Sequence, residues 1–194
     1  MIMRAIKITI LVVVGILVVW GWTTYNGFIT KQENMTRAWS QVDNVYQRRA
    51  DLVPNLVAMV KSYTNHEQGT LIAVTEARAR AASVKVDTDE FDDLEFASYE
   101  SAQRELGNSI NRVLVEVENY PDLKASDNYL TFQAQLAGCE NRILTERERF
   151  NEAAKDYNQS IRKFPGNLIA NLCGFERRPY FKADAGSEKA PETF

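Results

Sequence analysis

The chain has 194 residues, of which 45% are hydrophobic and 25% charged, and its 23 basic side chains are nearly balanced by 26 acidic ones. This composition excludes a disordered polymer and the excess of basic charge that is typical of nucleic-acid binders. Two cysteines and one histidine exclude a disulfide-dense scaffold, a four-thiolate zinc site and a metal centre with two imidazoles from one chain. We predict no cofactor and no nucleic-acid partner.

The N-terminal segment is predicted to span a membrane. Arg4 and Lys7 precede an apolar run from Ile8 to Trp22, and the next charged residue is Lys31. As a helix, the uncharged stretch of about 23 residues would be roughly 34 Å long, enough for a hydrocarbon core of about 30 Å. Residues 1–27 are therefore assigned as a transmembrane anchor, with the lipid bilayer as its partner.

A removable signal peptide is the alternative interpretation of this segment, because it also combines a basic start with an apolar core. Trp20, Trp22 and Tyr25 are bulky where a signal peptidase requires small residues, and they suit the aromatic belt at a membrane surface. We therefore predict an uncleaved, single-pass anchor. The positive-inside rule, applied to Arg4 and Lys7, favours an extracytoplasmic position for the rest of the chain over a cytoplasmic one.

Residues 28–63 are predicted to form a long helix that continues from the anchor without a flexible linker. Its apolar stripe repeats at steps of three and four residues and consists of Trp39, Val42, Tyr46, Arg49, Val53, Leu56, Val60 and Tyr63. Pro54 lies in the middle of this helix, but the stripe keeps its phase across the proline. We therefore predict a helix kink at Pro54 rather than a break.

The next helix is predicted at residues 66–84, with an inward face of Leu71, Val74, Arg78 and Ala81. A turn is predicted before it, because Asn65 and Gln68 resemble a capping box and Gly69 weakens helix continuation. Without this turn, one helix would extend some 80 Å past the membrane, and neither of the later helices could cover that length.

Two more helices are predicted, at residues 91–119 and 127–164. The first carries Ala102, Leu106, Ile110, Val113 and Val117 inward and ends at Tyr120-Pro121, because a residue before proline avoids the helical conformation. The second can be capped by Ser126 or Asp127 and ends at Pro165-Gly166. Its charged residues are assigned mostly to the solvent face, and they include Arg142, Arg147, Arg149, Glu146, Glu148 and Glu152.

The predicted fold is all-α. A transmembrane helix continues into an antiparallel, up-down four-helix bundle over residues 28–164. Residues 165–194 are predicted to form a short apolar patch and then a mostly irregular tail.

Two arginines, Arg49 and Arg78, fall on otherwise apolar stripes. Burying an unpaired guanidinium is costly, so each is expected to meet a carboxylate or to extend to the surface. The candidate partners are Asp43, Asp51 and Glu76. A structural pair that fixes helix register is one interpretation, and a polar groove for the acidic group of a partner is the other.

Other candidate chemistry is weaker. The acidic run between Asp87 and Glu95 could hold calcium, but it lacks the glycine of the twelve-residue calcium loop, and a solvated loop explains it better. His66 is the only imidazole and lies at a predicted turn, so we do not expect catalysis through it. Cys139 is interpreted as a core residue, and a disulfide between Cys139 and Cys173 is left open.

Several motifs resemble the LemA family of bacterial membrane proteins. They are N-x-x-x-x-W-S-Q-V-D at 34–43, Q-R-R-A-D-L-V-P-N-L-V at 47–57, V-K-S-Y-x-x-H-E at 60–67, L-x-A-V-T-E-A-R-A at 71–79 and R-R-P-Y-F-K-A at 177–183. The resemblance implies a single span of the bacterial inner membrane, an antiparallel helical bundle and no established enzymatic activity. The residues that match its most recognisable motif are Arg48, Arg49, Asp51, Pro54 and Asn55.

We therefore predict a non-enzymatic, membrane-anchored scaffold or adaptor that acts through protein–protein contacts. Its expected partners are further copies of itself or other membrane and envelope proteins. The candidate polar network or partner contact comprises Arg48, Arg49, Asp51, Asn55, Glu76 and Arg78. The alternative is a ligand- or ion-binding module that uses the acidic loop at 87–95 or the two arginines on the apolar stripes.

Overall fold

A computed structural model describes residues 2–63, 68–88 and 90–182. Within these ranges the chain forms six helices and no strand: α1 (Ile2–Tyr63), α2 (Gln68–Ser83), α3 (Asp93–Val117), α4 (Pro121–Lys124), α5 (Asp127–Arg162) and α6 (Gly166–Cys173). The predicted all-α fold class with one long apolar N-terminal helix is confirmed.

Helix α1 is continuous over 62 residues and about 93 Å long. Its N-terminal part contains an 18-residue window with a mean hydropathy of 2.5, and none of that window is buried. This part is long and apolar enough to cross a membrane. From Phe28 onward the same helix buries one stripe of its side chains, and it continues through Pro54. The apolar segment and the first core helix are therefore one element.

Helix ends follow the local sequence. Asp92 Oδ1 accepts hydrogen bonds from the backbone N–H groups of Leu94 and Glu95, at 2.6 and 3.2 Å, and starts α3. Ser126 caps α5 by accepting the N–H of Tyr129 at 3.3 Å. The predicted capping box at Asn65 and the predicted turn at His66 lie outside the described residues.

Two short helices, α4 and α6, were not expected. Pro121 begins α4, where its fixed φ and missing N–H are compatible with a first helical turn. The predicted apolar patch after Pro165 is helical as α6, and Gly174 ends it with a φ of 74°, a conformation that favours glycine.

Helix α5 packs against α1 in the opposite direction. Phe28, near the membrane end of the packed part of α1, clusters with Ile161 at the end of α5. Further along α1, the Val45 carbonyl lies 3.5 Å from the Cys139 Sγ atom in the middle of α5. Helices α2 and α3 pack against each other and against α1. These contacts place one hydrophobic core between α1, α2, α3 and α5.

An aromatic cluster forms the part of this core nearest the acidic connection between α2 and α3. The ring centroid of Trp39 lies 5.0–5.9 Å from those of Phe91, Phe96, Tyr99, Phe150 and Phe181. The cluster therefore joins α1, α3 and α5 to a residue that follows α6. That contact was not expected, because Phe181 was assigned to a mostly irregular tail.

The C-terminal segment, residues 175–182, lies along α5 without regular secondary structure. Asn158 holds Arg178 through both backbone groups, with hydrogen bonds of 2.8 Å from the Arg178 N–H and 2.9 Å to its carbonyl. Asn151, two helical turns earlier, holds Phe181 in the same way at 2.9 Å for both bonds. Two side-chain amides thus make the hydrogen bonds to the backbone of this segment that a neighbouring β-strand would otherwise make. Residues 183–194 lie outside the described part of the chain.

Candidate functional site

The two arginines on the apolar stripes, Arg49 and Arg78, lie where α1 meets α2, α3 and α5. Pro54 has no N–H, so the carbonyl of Ala50, one turn earlier in α1, loses its helical hydrogen-bond donor. The Nε atom of Arg78 in α2 donates to that carbonyl at 2.9 Å. Arg78 also lies 3.8 Å from the carboxylate of Asp51. The arginine therefore fills the hydrogen-bonding defect that the proline creates.

This pairing predicts a coupling between two substitutions. Arg78→Ala should destabilise the protein by about 1–2 kcal/mol, because it leaves the Ala50 carbonyl without a donor. In a Pro54→Ala background the restored N–H at position 54 satisfies that carbonyl, so the cost of Arg78→Ala should fall by about 1 kcal/mol. Thermal unfolding of the four proteins of this cycle in detergent measures the coupling. Additive effects would contradict the assignment.

Arg49 is the centre of a buried cluster and is only 5% exposed. Its Nη2 atom donates to the main-chain carbonyl of Gln103 at 2.5 Å and to its side-chain oxygen at 3.2 Å. Its Nη1 atom lies 3.2 Å from the carboxylate of Glu140. The guanidinium carbon lies 5.0 Å from the ring centroid of Tyr46. Arg49 thus ties α1 to α3 and α5 at one level of the core.

Gly107 makes room for this guanidinium. A Cβ atom at position 107 would lie 3.2 Å from Arg49 Nη1, a tighter contact than most Cβ atoms make. A cavity of about 290 Å³ opens beside the group and is also lined by Glu100 and Arg147. Because both terminal nitrogens of Arg49 already have partners in this chain, the geometry favours the register-fixing interpretation over a groove for an acidic ligand.

A second cavity, of about 620 Å³, lies beside Arg78 between α1 and α2. Its charged lining has both signs, because Asp43 and Asp51 face the same space as Arg78 and Lys85. Such a mixed lining gives no preference for an acidic partner group.

The predicted network residues divide into two groups. Arg49, Arg78 and Asp51 take part in the contacts described above. Arg48, Asn55 and Glu76 are exposed on the surface, as is Pro54 itself. Of the candidate carboxylates, Asp51 pairs with Arg78 as expected, whereas Arg49 pairs with Glu140, which the sequence did not indicate.

Asp43 accepts a hydrogen bond from the hydroxyl of Tyr99 at 2.8 Å. Burial, together with the adjacent Asp43 carboxylate, raises the pKa of Tyr99 well above its ordinary value. Burial likewise raises the pKa of Tyr46, against the opposing effect of Arg147 and Arg49. Both hydroxyls are therefore held in the protonated form.

Alkaline pH should destabilise the protein through Tyr99. Above about pH 10 the unfolded chain releases this proton and the folded chain keeps it, so stability that is fully present below pH 10 falls as pH rises, by about 1.4 kcal/mol per unit. Unfolding temperatures between pH 8 and 11 should therefore fall less steeply in Tyr99→Phe than in the wild type. Tyr63→Phe, at an exposed ring, is the matched control, and equal slopes in the two variants would contradict the expectation.

The expected position of Glu146 on the solvent face is wrong, because this residue is only 1% exposed. Arg142 and Arg149 flank it, with nitrogen–oxygen distances of 2.8 and 2.9 Å. The two arginine side chains remain about half exposed. Each therefore pairs with the buried carboxylate while its own guanidinium stays in contact with water. Glu146 follows Ile143 by three residues on α5, and this spacing was a usable signal for an inward position.

Gln103 could also have been found from spacing. It precedes Leu106 by three residues and Ile110 by seven, so it shares their buried face of α3. Glu140 follows Leu136 by four residues and precedes Ile143 by three, and Asn158 precedes Ile161 by three, so spacing places both towards the buried side of α5. Spacing does not show which group each of them meets. Their roles depend on which helices become neighbours.

The acidic run does not assemble a cation site among the described residues, where no group of three or more potential ligands is present. Asp92 caps α3, and Glu95 accepts the backbone N–H of Asp87 at 3.0 Å. Asp89 lies outside the described ranges.

The two cysteines do not form a disulfide. Cys139 is buried and Cys173 is exposed, and both are free thiols. Burial raises the pKa of the Cys139 thiol, which lowers its reactivity.

The sequence profile of the LemA family matches residues 38–193. Magnetosome protein MamQ 2 of Paramagnetospirillum magneticum is 28% identical over 175 residues, which cover 81% of this chain and 64% of that protein. Magnetosome protein MamQ of Magnetospirillum gryphiswaldense is 26% identical over 174 residues, with the same coverage of 81% and 64%. Protein LemA of Metamycoplasma hominis is 27% identical over 162 residues, covering 81% of this chain and 68% of that protein.

The chain spans just under two thirds of the length of the magnetosome proteins that it matches. The match to the family profile begins one residue before Trp39, so it includes the helices that pack around the core. The protein is a membrane-associated helical protein, as its exposed apolar N-terminal helix and its match to the LemA family profile indicate. The chain belongs to the LemA family.

Proposed function

We propose that this protein is a non-enzymatic scaffold that is anchored in the bacterial inner membrane and acts through protein–protein contacts, including self-association. The observation that carries the proposal is the continuity of α1, which passes from an exposed apolar segment into the core without a break. A rigid junction of this kind fixes the position of the packed helices relative to the bilayer. Such a fixed position suits a protein that presents surfaces to partners.

The chemistry of the described residues supports the same role. Cys139 is held as a thiol, and Tyr46 and Tyr99 are held as phenols, so burial deactivates these groups rather than activating them. Arg49 and Arg78 are occupied by contacts within the chain. The polar groups in the core therefore serve its architecture, and the surface is left for recognition.

Light scattering of the full chain in mild detergent tests self-association. The expected protein mass in the particle is a multiple of 22.1 kDa, the mass of one chain. The control is the same measurement across a range of protein concentrations, because a specific assembly reaches one fixed stoichiometry as the concentration rises, whereas non-specific aggregates keep growing. A particle of one chain at every concentration, with no co-purifying protein, would refute the scaffold proposal.

We further propose that the packed helices lie outside the cytoplasm, as the basic residues before the span favour. Asp122 is exposed on α4, at the end of the packed helices away from the span. In a Cys173→Ser background, Asp122→Cys should react with a membrane-impermeant maleimide once the outer envelope is permeable. Labelling that appears only after the inner membrane is opened would place these helices in the cytoplasm.

A further inference from the structure

The short helix α6 carries apolar side chains that the rest of the chain leaves uncovered. Leu168 is 57% exposed and Leu172 is 83% exposed, and Phe164, just before the helix, is 80% exposed. The opposite face of α6 is packed, because Ala170 is buried in a small cluster with Phe28 and Ile161. Helix α6 is therefore fixed to the protein by one face and presents an apolar surface with the other.

The position of this surface along α1 is defined by three contacts. A Cβ atom at Gly21 would lie 3.8 Å from Ile169 Cδ1. The ring of Phe175, directly after α6, lies 5.5 Å from that of Tyr25 and 5.2 Å from that of Phe28. Helix α6 therefore lies beside about the last three turns of the uncharged stretch of α1.

That level is where a span of this length leaves the hydrocarbon. A core of about 30 Å takes up roughly 20 helical residues, so a span that begins near Ile8 emerges near Gly27. Trp22, 70% exposed, lies at the same level as α6. Lys31 and the exposed Arg162 and Lys163 follow on the polar side, where basic side chains reach lipid headgroups.

We propose that α6 is a second membrane contact: Phe164, Leu168 and Leu172 insert into the interface of the same bilayer that α1 crosses. The inference relies on the membrane span of α1 and not on the scaffold role. We assign lipid to this surface because it lies at the same depth as the end of the exposed span. It is also bordered by aromatic and basic residues, which is the usual composition of an interfacial helix. Two points of contact set the tilt and rotation of the packed helices on the membrane.

A fluorescent probe on the native Cys173, in the full chain, tests this assignment. The protein is labelled with an environment-sensitive dye and reconstituted into phosphatidylcholine vesicles, with and without phosphatidylcholine that carries a nitroxide near its headgroup. We expect blue-shifted emission that loses most of its intensity with the nitroxide lipid. Cys173→Ser should take up almost no dye, because the remaining Cys139 is buried.

Matched variants separate the possible outcomes. In the Cys173→Ser background, Asp122→Cys should give water-like emission without quenching, and Val12→Cys should be quenched by a nitroxide deep in the acyl chains. Leu168→Ser/Leu172→Ser should reduce quenching at Cys173, whereas Leu130→Ser/Leu144→Ser, at exposed leucines on α5, should not. A dye at Cys173 that is not quenched, while the dye at Val12→Cys is quenched, would overturn the proposal. This holds even if the emission at Cys173 is blue-shifted, because a second protein copy that covers α6 would also shift the emission but would not allow quenching by lipid. If the dye at Val12→Cys is also not quenched, the membrane span of α1 is contradicted together with the proposal.

Discussion

Arg49→Met is expected to destabilise the protein by about 2–4 kcal/mol. The substitution leaves the buried side chain of Gln103 without its charged donor and leaves Glu140 without its partner. Methionine fills part of the volume, so lost hydrogen bonding rather than a cavity should dominate the cost. For a domain of this size, thermal unfolding in detergent should show a midpoint lower by roughly 5–15 °C.

Arg48→Met is the matched control, because it makes the same chemical change at the adjacent, exposed position. Its effect should stay within about 0.5 kcal/mol of the wild type. Equal midpoints for Arg48→Met and Arg49→Met would show that the buried contacts of Arg49 contribute no stability.

Phe181→Ala is expected to cost about 3–5 kcal/mol, although the residue follows the last helix. Its side chain is 5% exposed and packs on Trp39, Phe96 and Phe150. The guanidinium of Arg147 lies 4.8 Å from the centre of the same ring. Removing the ring opens a cavity in the aromatic cluster and weakens the attachment of the C-terminal segment to α5.

The control for this prediction is Leu130→Ala, which truncates an apolar side chain on α5 where it is 51% exposed. Thermal unfolding of both variants in detergent should give a large loss for Phe181→Ala and little change for Leu130→Ala. Limited proteolysis should also cut the C-terminal segment faster in Phe181→Ala. Similar midpoints for the two variants would show that the segment does not belong to the core.

The elements that were predicted well are those whose signal is local. The apolar run before Lys31, the stripe from Trp39 to Val60 and the cap at Ser126 each depend on spacing within one helix. The continuation of α1 through Pro54 was also visible, because the stripe kept its phase across the proline. Each of these features depends only on the residues of one helix and on which of them face solvent.

The buried polar partners were predicted poorly. Arg49 and Arg78 were found because charge on an apolar stripe is conspicuous, but Glu140 and the Ala50 carbonyl were not identified as their partners. The burial of Glu146 was missed for a related reason, since a glutamate among arginines is typical of a solvent-exposed helix face, and only the packed structure shows that it is buried.

The amino-acid sequence determined the long helices, the apolar span and the position of Arg49 in the core, because hydrophobic periodicity and chain-local hydrogen bonds are sufficient for these features. Only the tertiary structure decided which partner each buried polar group meets, how Asn151 and Asn158 hold the C-terminal segment, and where α6 lies beside α1. These features join residues far apart in the chain, and their energies depend on distances that exist only after the helices have packed.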